Sequence, residues 1–137
     1  MRRRAASLAL ATITTLGAAG VTAAGPAQAD QPNCDIDLTM GPDEVNWNVV
    51  ANGTATCDQP TTGVRVEVVA WKMMFGNPDW GQPGVATADA LPAGAPLSAG
   101  SASKLYTDSD CYNAKATLTV AERPDVIVVR SISWGGC

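Results

Sequence analysis

Apolar and polar side chains alternate with a period of two along most of this chain after its first thirty residues. The clearest run covers residues 45–57, and its apolar face carries Val45, Trp47, Val49, Ala51, Gly53, Ala55 and Cys57. Turn-forming residues separate this run from similar ones at residues 34–40, 64–74, 112–120 and 126–134. A period of two is that of a half-buried strand, and no segment shows the 3.6-residue period of an amphipathic helix. The sequence therefore predicts an all-β fold of antiparallel strands.

The first 29 residues have the three parts of a secretory signal peptide. Arg2, Arg3 and Arg4 precede an apolar stretch at residues 5–21, and Ala27-Gln28-Ala29 forms a small-residue cleavage site. We therefore expect a signal peptide at 1–29 and a single secreted, extracellular β-sandwich domain at 30–137.

The mature part carries 6 Lys and Arg against 13 Asp and Glu, a net charge of −7. Its basic residues are spread singly along the chain, whereas binding to nucleic acid needs clustered Lys and Arg. No later segment is long and apolar enough to span a bilayer. We therefore expect no nucleic-acid partner, no membrane association of the mature form, and a monomer.

Four cysteines in an exported chain predict two disulfides more readily than metal ligands or redox thiols. If the turn at residues 122–125 joins two antiparallel strands, Cys111 comes to lie beside Cys137. By the same logic, Cys34 meets Cys57 after a small offset or bulge. We favour the pairs Cys34–Cys57 and Cys111–Cys137 over the two other connectivities. The chain has no histidine and no Cys-x-x-Cys, so we expect neither a metal nor a cofactor.

A resemblance to a protein family follows from the layout of these cysteines. The run Gly53-Thr54-Ala55-Thr56-Cys57-Asp58, the valine-rich strand after it, Ser109-Asp110-Cys111-Tyr112 and the terminal Cys137 resemble small secreted proteins of actinomycetes. The resemblance covers most of the mature chain and implies an immunoglobulin-like β-sandwich of about seven strands with local disulfides. It brings no functional residues with it. Antibody domains differ, because their cysteine pair bridges the two sheets around a tryptophan.

Residues 76–101 differ from the rest of the chain, because they are rich in Pro and Gly and hold few large apolar residues. They predict a long loop, with one or two short edge strands near Val85 and residues 102–106. Trp80 and Asp79 would lie at its tip, where an exposed tryptophan is a typical anchor for a ligand. The alternative is that Trp80 covers the end of the core. Trp47 and Trp71 fit the core better, and Trp134 fits either place.

The remaining candidates for chemistry are carboxylates, because a chain without histidine lacks the commonest general base. A glycoside hydrolase would need two facing acids, for which the candidates are Asp35 with Asp37, Asp108 with Asp110, or Asp79. Asp108, Ser109, Asp110 and Asn113 would also offer oxygen ligands to calcium. Solvated acids in turns and on strand surfaces explain all of these residues more simply.

The sequence therefore favours a secreted, non-catalytic domain that binds a protein or a polysaccharide through the 76–101 segment, with Trp80 and Asp79 as contact residues. A second hypothesis is an inhibitor of extracellular proteases, since Lys72-Met73-Met74-Phe75 leads into a proline-containing segment. Against it, no cysteine lies between residues 58 and 110 to brace such a loop. A carboxylate-based hydrolase is the third hypothesis.

Overall fold

The structure, a computed structural model of the chain, describes residues 32–104, 107 and 109–137. The signal peptide expected at 1–29 therefore lies outside the described residues. Within them there is no helix, and eight strands follow one another along the chain. They are β1 (Cys34–Asp43), β2 (Asn48–Cys57), β3 (Thr61–Met74), β4 (Asn77–Trp80), β5 (Gly84–Leu91), β6 (Leu97–Lys104), β7 (Cys111–Val120) and β8 (Arg123–Gly135).

The strands form two antiparallel sheets. The smaller sheet has the order β1-β2-β6, and the larger has the order β4-β3-β7-β8, with β5 also pairing with β3. Taken in chain order, the first, second and sixth strands thus share one sheet, and the third, seventh and eighth share the other, as in immunoglobulin-like sandwiches. The predicted all-β, antiparallel β-sandwich is confirmed, with eight strands in place of about seven.

The interpretation of residues 76–101 as a long loop is wrong. This segment contains all of β4 and β5 and the first five residues of β6, joined by short connections. The expected edge strands exist, but β5 and β6 each have eight residues, and β6 pairs with β2 along its whole length. Their inward positions hold small residues such as Ala86, Ala88, Ala99 and Ser101. Because alternation of small residues has low hydrophobic contrast, these strands are hard to recognise in the sequence.

The core lies between the sheets and is built from valine and alanine. Its central residues are the inward side chains of three strands: Ala51 and Ala55 of β2, Val64, Val66, Val68 and Ala70 of β3, and Ala114, Ala116 and Leu118 of β7. At Gly53 a Cβ atom would lie 2.7 Å from Cγ2 of Val68 and 3.2 Å from Cβ of Ala116. Gly53 therefore marks the place where the two sheets come too close together for a side chain.

Both disulfides predicted from the sequence are confirmed. Cys34 lies directly opposite Cys57 in the β1–β2 ladder, with no offset or bulge, and the Cα atoms are 4.0 Å apart. Cys111 lies opposite Gly135, and Cys137 returns to it with a Cα separation of 4.5 Å. Each bond links neighbouring strands of one sheet, and two such bonds fit an oxidising compartment.

A buried serine binds the backbone of β3 at the point where β3 stops pairing with β5 and starts pairing with β4. The β5 ladder ends at Val68, the β4 ladder begins at Trp71, and between them Ala70 accepts a hydrogen bond from Gly81 N–H at 2.7 Å. The Ala70 N–H faces the same gap and donates to Ser101 Oγ of β6 at 3.0 Å. Ser101 Oγ in turn donates to the Gln82 carbonyl at 2.7 Å. One hydroxyl thus satisfies two backbone groups and joins the two sheets.

Replacing Ser101 with alanine tests this account. We expect Ser101→Ala to lower the free energy of unfolding by about 1–3 kcal/mol, because it leaves a buried N–H without a partner. Urea unfolding followed by tryptophan fluorescence measures the change. Ser98→Ala is the matched control on the same strand, because the Ser98 hydroxyl bonds Thr54 in an exposed position. Equal losses in the two variants would contradict the bridging role.

The close approach at Gly53 makes a second prediction. Gly53→Ala should destabilise the protein by about 1–3 kcal/mol, because the added methyl group meets Val68 and Ala116 in a packed core. Gly41→Ala on β1 is the control, since nothing lies within 4 Å of its added Cβ. Thermal unfolding should show a clearly lower midpoint for Gly53→Ala alone. A midpoint unchanged from the native protein would show that the sheets separate easily.

Candidate binding surface

The predicted contact residue Trp80 lies on the outer face of the larger sheet. From Val64 to Ala70 the even-numbered residues of β3 face the core, so Trp71 faces outward, and Trp80 lies opposite it in the β3–β4 ladder. The two indole rings are tilted by 42°, with centroids 4.7 Å apart. Trp80 is 57% exposed. Packing against Trp71 limits its rotamers while leaving much of the ring accessible to a ligand.

Two polar residues extend this aromatic pair across the sheet. Trp71 lies opposite Asn113 of β7, and Asn113 lies opposite Ser133 of β8. The Ser133 hydroxyl donates to Asn113 Oδ1 at 2.7 Å, so the two side chains share the outer face. We call Trp80, Trp71, Asn113 and Ser133 the outer row. It crosses four strands and therefore spans roughly 14 Å at the usual spacing between strands.

Asp79 does not belong to the outer row. It precedes Trp80 on β4 and lies opposite Lys72, so its side chain leaves the strand on the other face from the tryptophan. The structure thus separates the two residues predicted to act together. Neither of them lies at a loop tip. Both lie on a paired strand, and the turn before it is formed by Phe75 and Gly76.

The expectation that Trp47 and Trp71 belong to the core is wrong. Trp47 lies in the turn between β1 and β2 and is 65% exposed. In the sequence, the alternation of β2 continues into residues 45–47, but the strand begins only at Asn48. Trp71 is half-buried on the outer face. Trp134 is also half-buried, with its ring centroid 5.8 Å from that of the buried Tyr112.

An ion pair that the sequence does not reveal anchors the β3–β4 hairpin. The Lys72 ammonium contacts the Asp110 carboxylate, next to Cys111. The bond to Lys72, aided by the Thr107 hydroxyl, holds the pKa of Asp110 below its ordinary value. The same bond raises the pKa of Lys72, although partial burial of the ammonium acts in the opposite direction. The hairpin is thereby tied to the segment that the Cys111–Cys137 disulfide braces.

The other candidate carboxylates lie apart from this region or outside the described residues. Asp35 and Asp37 are exposed on β1, and Asp35 pairs with Arg130 of β8 at 2.5 Å. Asp108 lies outside the described residues, so the Asp108–Asp110 pair cannot be placed. Asp110 already binds an ammonium group, and Asn113 bonds Ser133. Among the described residues, no group of three or more His, Cys, Asp or Glu is arranged to hold a metal ion.

The segment considered for protease inhibition ends in a tight hairpin. Met74 pairs with Asn77, and only Phe75 and Gly76 form the turn, both with positive φ. An inhibitor that presents a loop to a protease needs that loop to be extended and accessible. Residues 72–74 are instead paired with β4 up to the turn. The part of the chain that the structure describes contains no helix that could cross a membrane.

Comparison with known proteins gives a similarity of fold. The E. coli curli protein CsgC matches with a TM-score of 0.50 and 12% sequence identity, over 72% of this chain and 97% of CsgC. R. palustris CsgH matches with a TM-score of 0.40 and 14% identity, over 74% of this chain and 91% of CsgH. No family model and no curated protein matches the sequence. At 12% identity, the match to CsgC is evidence for the sandwich fold alone.

The Lys72–Asp110 pair makes stability depend on pH in a defined direction. The folded state lowers the pKa of Asp110, so the carboxylate contributes its full stabilisation above its ordinary pKa of 3.8. This contribution is lost as the pH falls from 3.8 through the lower folded value. Native protein should therefore be more stable than Asp110→Asn at neutral pH, and the difference should shrink below pH 3.8.

Urea titrations at several pH values, from about 7 down to about 2.5, measure this difference. Asp37→Asn, which changes an exposed carboxylate on β1, is the control and should show no comparable loss at neutral pH. A difference between native protein and Asp110→Asn that stays constant across this range would show that the ion pair does not stabilise the fold.

Proposed function

We propose that this protein is a secreted, non-catalytic binding domain and that its outer row binds a polysaccharide chain. The observation that carries the proposal is the exposed Trp80 ring, held against Trp71 at one end of a polar strip. Aromatic faces bind apolar surfaces in defined orientations, and the C–H face of a sugar ring is such a surface. Asn113 and Ser133 provide an amide and a hydroxyl that can both donate and accept hydrogen bonds to sugar hydroxyls.

The shape of the outer row favours a polymer over a small molecule. It lies across a sheet face and is open along its length, whereas sites for small ligands are usually concave and enclose most of the ligand. The next row of the same face continues with Val69, Lys115 and Ser131. This mixture of one aromatic pair and several polar side chains suits a ligand with alternating apolar and hydroxylated surfaces.

The charge of the domain narrows the class of polysaccharide. The mature chain has a net charge of −7, which opposes the approach of a strongly anionic polymer. Lys115 is the cationic group of the row beside the outer row, and it is exposed. We therefore infer that the ligand is a neutral or weakly charged glycan outside the cell. Secretion follows from the leader sequence and fits the two disulfides.

Calorimetric titration of the mature domain with soluble neutral and anionic glycans tests the proposal. We expect binding of at least one neutral glycan and a loss of about tenfold or more in affinity for Trp80→Ala, equivalent to about 1.4 kcal/mol. Asn113→Ala should weaken binding less, because it removes a hydrogen bond and no stacking surface. Both variants should unfold cooperatively with their disulfides intact.

Trp47→Ala is the matched control for this titration. It removes a tryptophan of similar exposure that lies in the β1–β2 turn, away from the outer row. Its affinity for the glycan should equal that of the native protein. Equal losses in Trp47→Ala and Trp80→Ala, or no binding to any neutral glycan, would refute the assignment of the outer row.

A further inference from the structure

Two aromatic residues have backbone conformations that aromatic side chains rarely adopt. Trp47 has a φ of 53° and Phe75 a φ of 51°, and they are the two non-glycine residues with positive φ among those that the structure describes. This conformation is unfavourable for bulky residues, because it brings Cβ too close to the following carbonyl oxygen. Burial of the side chain does not offset this strain in either residue, since Trp47 is 65% and Phe75 99% exposed. The fold thus holds two strained aromatic residues out in solvent.

Both residues project from the same end of the sandwich, one from each sheet. Ser101 pairs with Ala51 of β2 and bonds Ala70 of β3, so these two residues lie at the same level of the two sheets. From this level, β2 leads back to the turn that holds Trp47, and β3 leads forward to the turn that holds Phe75. Stacked sheets lie about 10 Å apart, which sets the approximate separation of the two turns.

Two aliphatic side chains enlarge the apolar surface at this end. Val45 is 87% exposed beside Trp47, and Met74 is 41% exposed beside Phe75. We call Val45, Trp47, Met74 and Phe75 the end patch. Large apolar side chains that are exposed in clusters mark interaction sites, whereas single ones are normal. Phe, Trp and Met are also the residue types enriched in interfaces between proteins.

Local hydrogen bonds hold the turn that carries Trp47 in place. In this turn, Asp43 Oδ1 accepts the backbone N–H of Val45 at 3.1 Å, and Asp43 Oδ2 accepts the Asn46 amide at 2.7 Å. The bond to the Asn46 side chain lowers the pKa of Asp43, so the carboxylate form that makes these bonds is favoured.

Interactions within the β3–β4 hairpin hold the turn that carries Phe75 in place. Its ladder closes at the Met74–Asn77 pair, and the ion pair between Lys72 and Asp110 anchors the hairpin. Turns that are already ordered lose little conformational entropy when they bind, which is how preorganised surfaces gain affinity.

The surroundings of the end patch indicate what kind of molecule covers it. Asp43 and Glu44 lie near Trp47 in the chain, and Asp79 lies on β4. Lys72 lines a cavity together with Met74 and Phe75, but its ammonium is paired with Asp110, so the charge that remains around the end patch is acidic. An acidic rim disfavours anionic lipid surfaces, which attract basic segments. Apolar residues inside an acidic rim complement a protein surface that has apolar pockets and basic residues around them.

We propose that the end patch is a second binding surface, distinct from the outer row, and that it docks a protein partner with a concave apolar site rimmed by Lys and Arg. The side chains of Trp47 and Phe75 insert into this site. The proposal does not depend on glycan binding, because none of its residues belongs to the outer row. The domain would then join a secreted protein to a polysaccharide.

Asparagine substitutions separate binding from folding at this surface. Asparagine tolerates positive φ far better than an aromatic residue, and Asn followed by Gly is the preferred pair for a two-residue hairpin turn. Trp47→Asn and Phe75→Asn should therefore keep or raise the thermal midpoint of unfolding while removing the two exposed aromatic side chains. A loss of binding in these variants would thus not reflect a loss of structure.

The experiment uses photo-crosslinking from the mature domain to the secreted proteins of the source culture. A benzophenone amino acid replaces Trp47 in one sample, Phe75 in a second and the exposed Ile127 of β8 in a third. We expect one protein to crosslink from positions 47 and 75 and not from 127. Excess native domain should compete with this crosslink, and excess Trp47→Asn/Phe75→Asn double variant should not.

The purified partner then gives the quantitative test. Its affinity should fall at least tenfold for each asparagine variant, weaken as salt is raised, and remain unchanged for Trp80→Ala. Four outcomes would overturn the proposal. The first two are the absence of a shared crosslink and equal affinity of the native and variant domains for the partner. The third is that the native domain sediments with phosphatidylcholine or phosphatidylglycerol vesicles and the asparagine variants do not. The fourth is that the native domain forms a dimer and the asparagine variants do not.

Discussion

The close contact between two sheets lined with small side chains is the constraint on which this structure depends. At Gly53 the opposing sheet leaves no room for a Cβ atom, and the core around it consists mainly of alanine and valine. A bulky aromatic side chain does not fit at this narrow point. The aromatic residues Trp47, Trp71, Phe75 and Trp80 accordingly lie on the outer face or at the end of the sandwich, and the buried Tyr112 lies beyond the alanine-lined centre. The packing that stabilises the fold thus also places the side chains that are suited to binding.

The sheets also share a polar contact at the edge where β3 exchanges partners. Ser101 satisfies the backbone of Ala70 at the gap between β5 and β4, and this allows the chain to form a separate hairpin at the end of β3. That hairpin carries Trp80 on one face and Phe75 at its turn. The hairpin thus contributes one residue to the outer row and one to the end patch, and its start depends on a buried hydroxyl that replaces a missing ladder bond. The Lys72–Asp110 pair holds the same hairpin against the strand next to it.

The alternation of side chains and the positions of the cysteines were enough to predict the sandwich and both disulfides. Both features of the fold depend on short-range periodicity and on the positions of turns, which the sequence shows directly. The prediction failed where those signals are weak. β5 and β6 alternate between small residues of similar polarity, so residues 76–101 resembled a loop, and Val45 and Trp47 continued the pattern of β2 into a turn. The outer row was not predictable, because it joins residues of four strands whose pairing the sequence leaves open. Positive φ at Trp47 and Phe75 was unpredictable too, since nothing in either residue type favours it.

The two disulfides have a mechanical consequence. Each closes a hairpin at its open end, Cys34 to Cys57 around β1 and β2, and Cys111 to Cys137 around β7 and β8. Tension applied at Asn33 and Cys137 therefore bypasses both hairpins through sulfur, and only the chain between Cys57 and Cys111 can extend. Under load, the molecule would lose β3 to β6, including the hairpin with Phe75, while the β1–β2 hairpin with Trp47 lies inside a disulfide-closed loop and bears no tension.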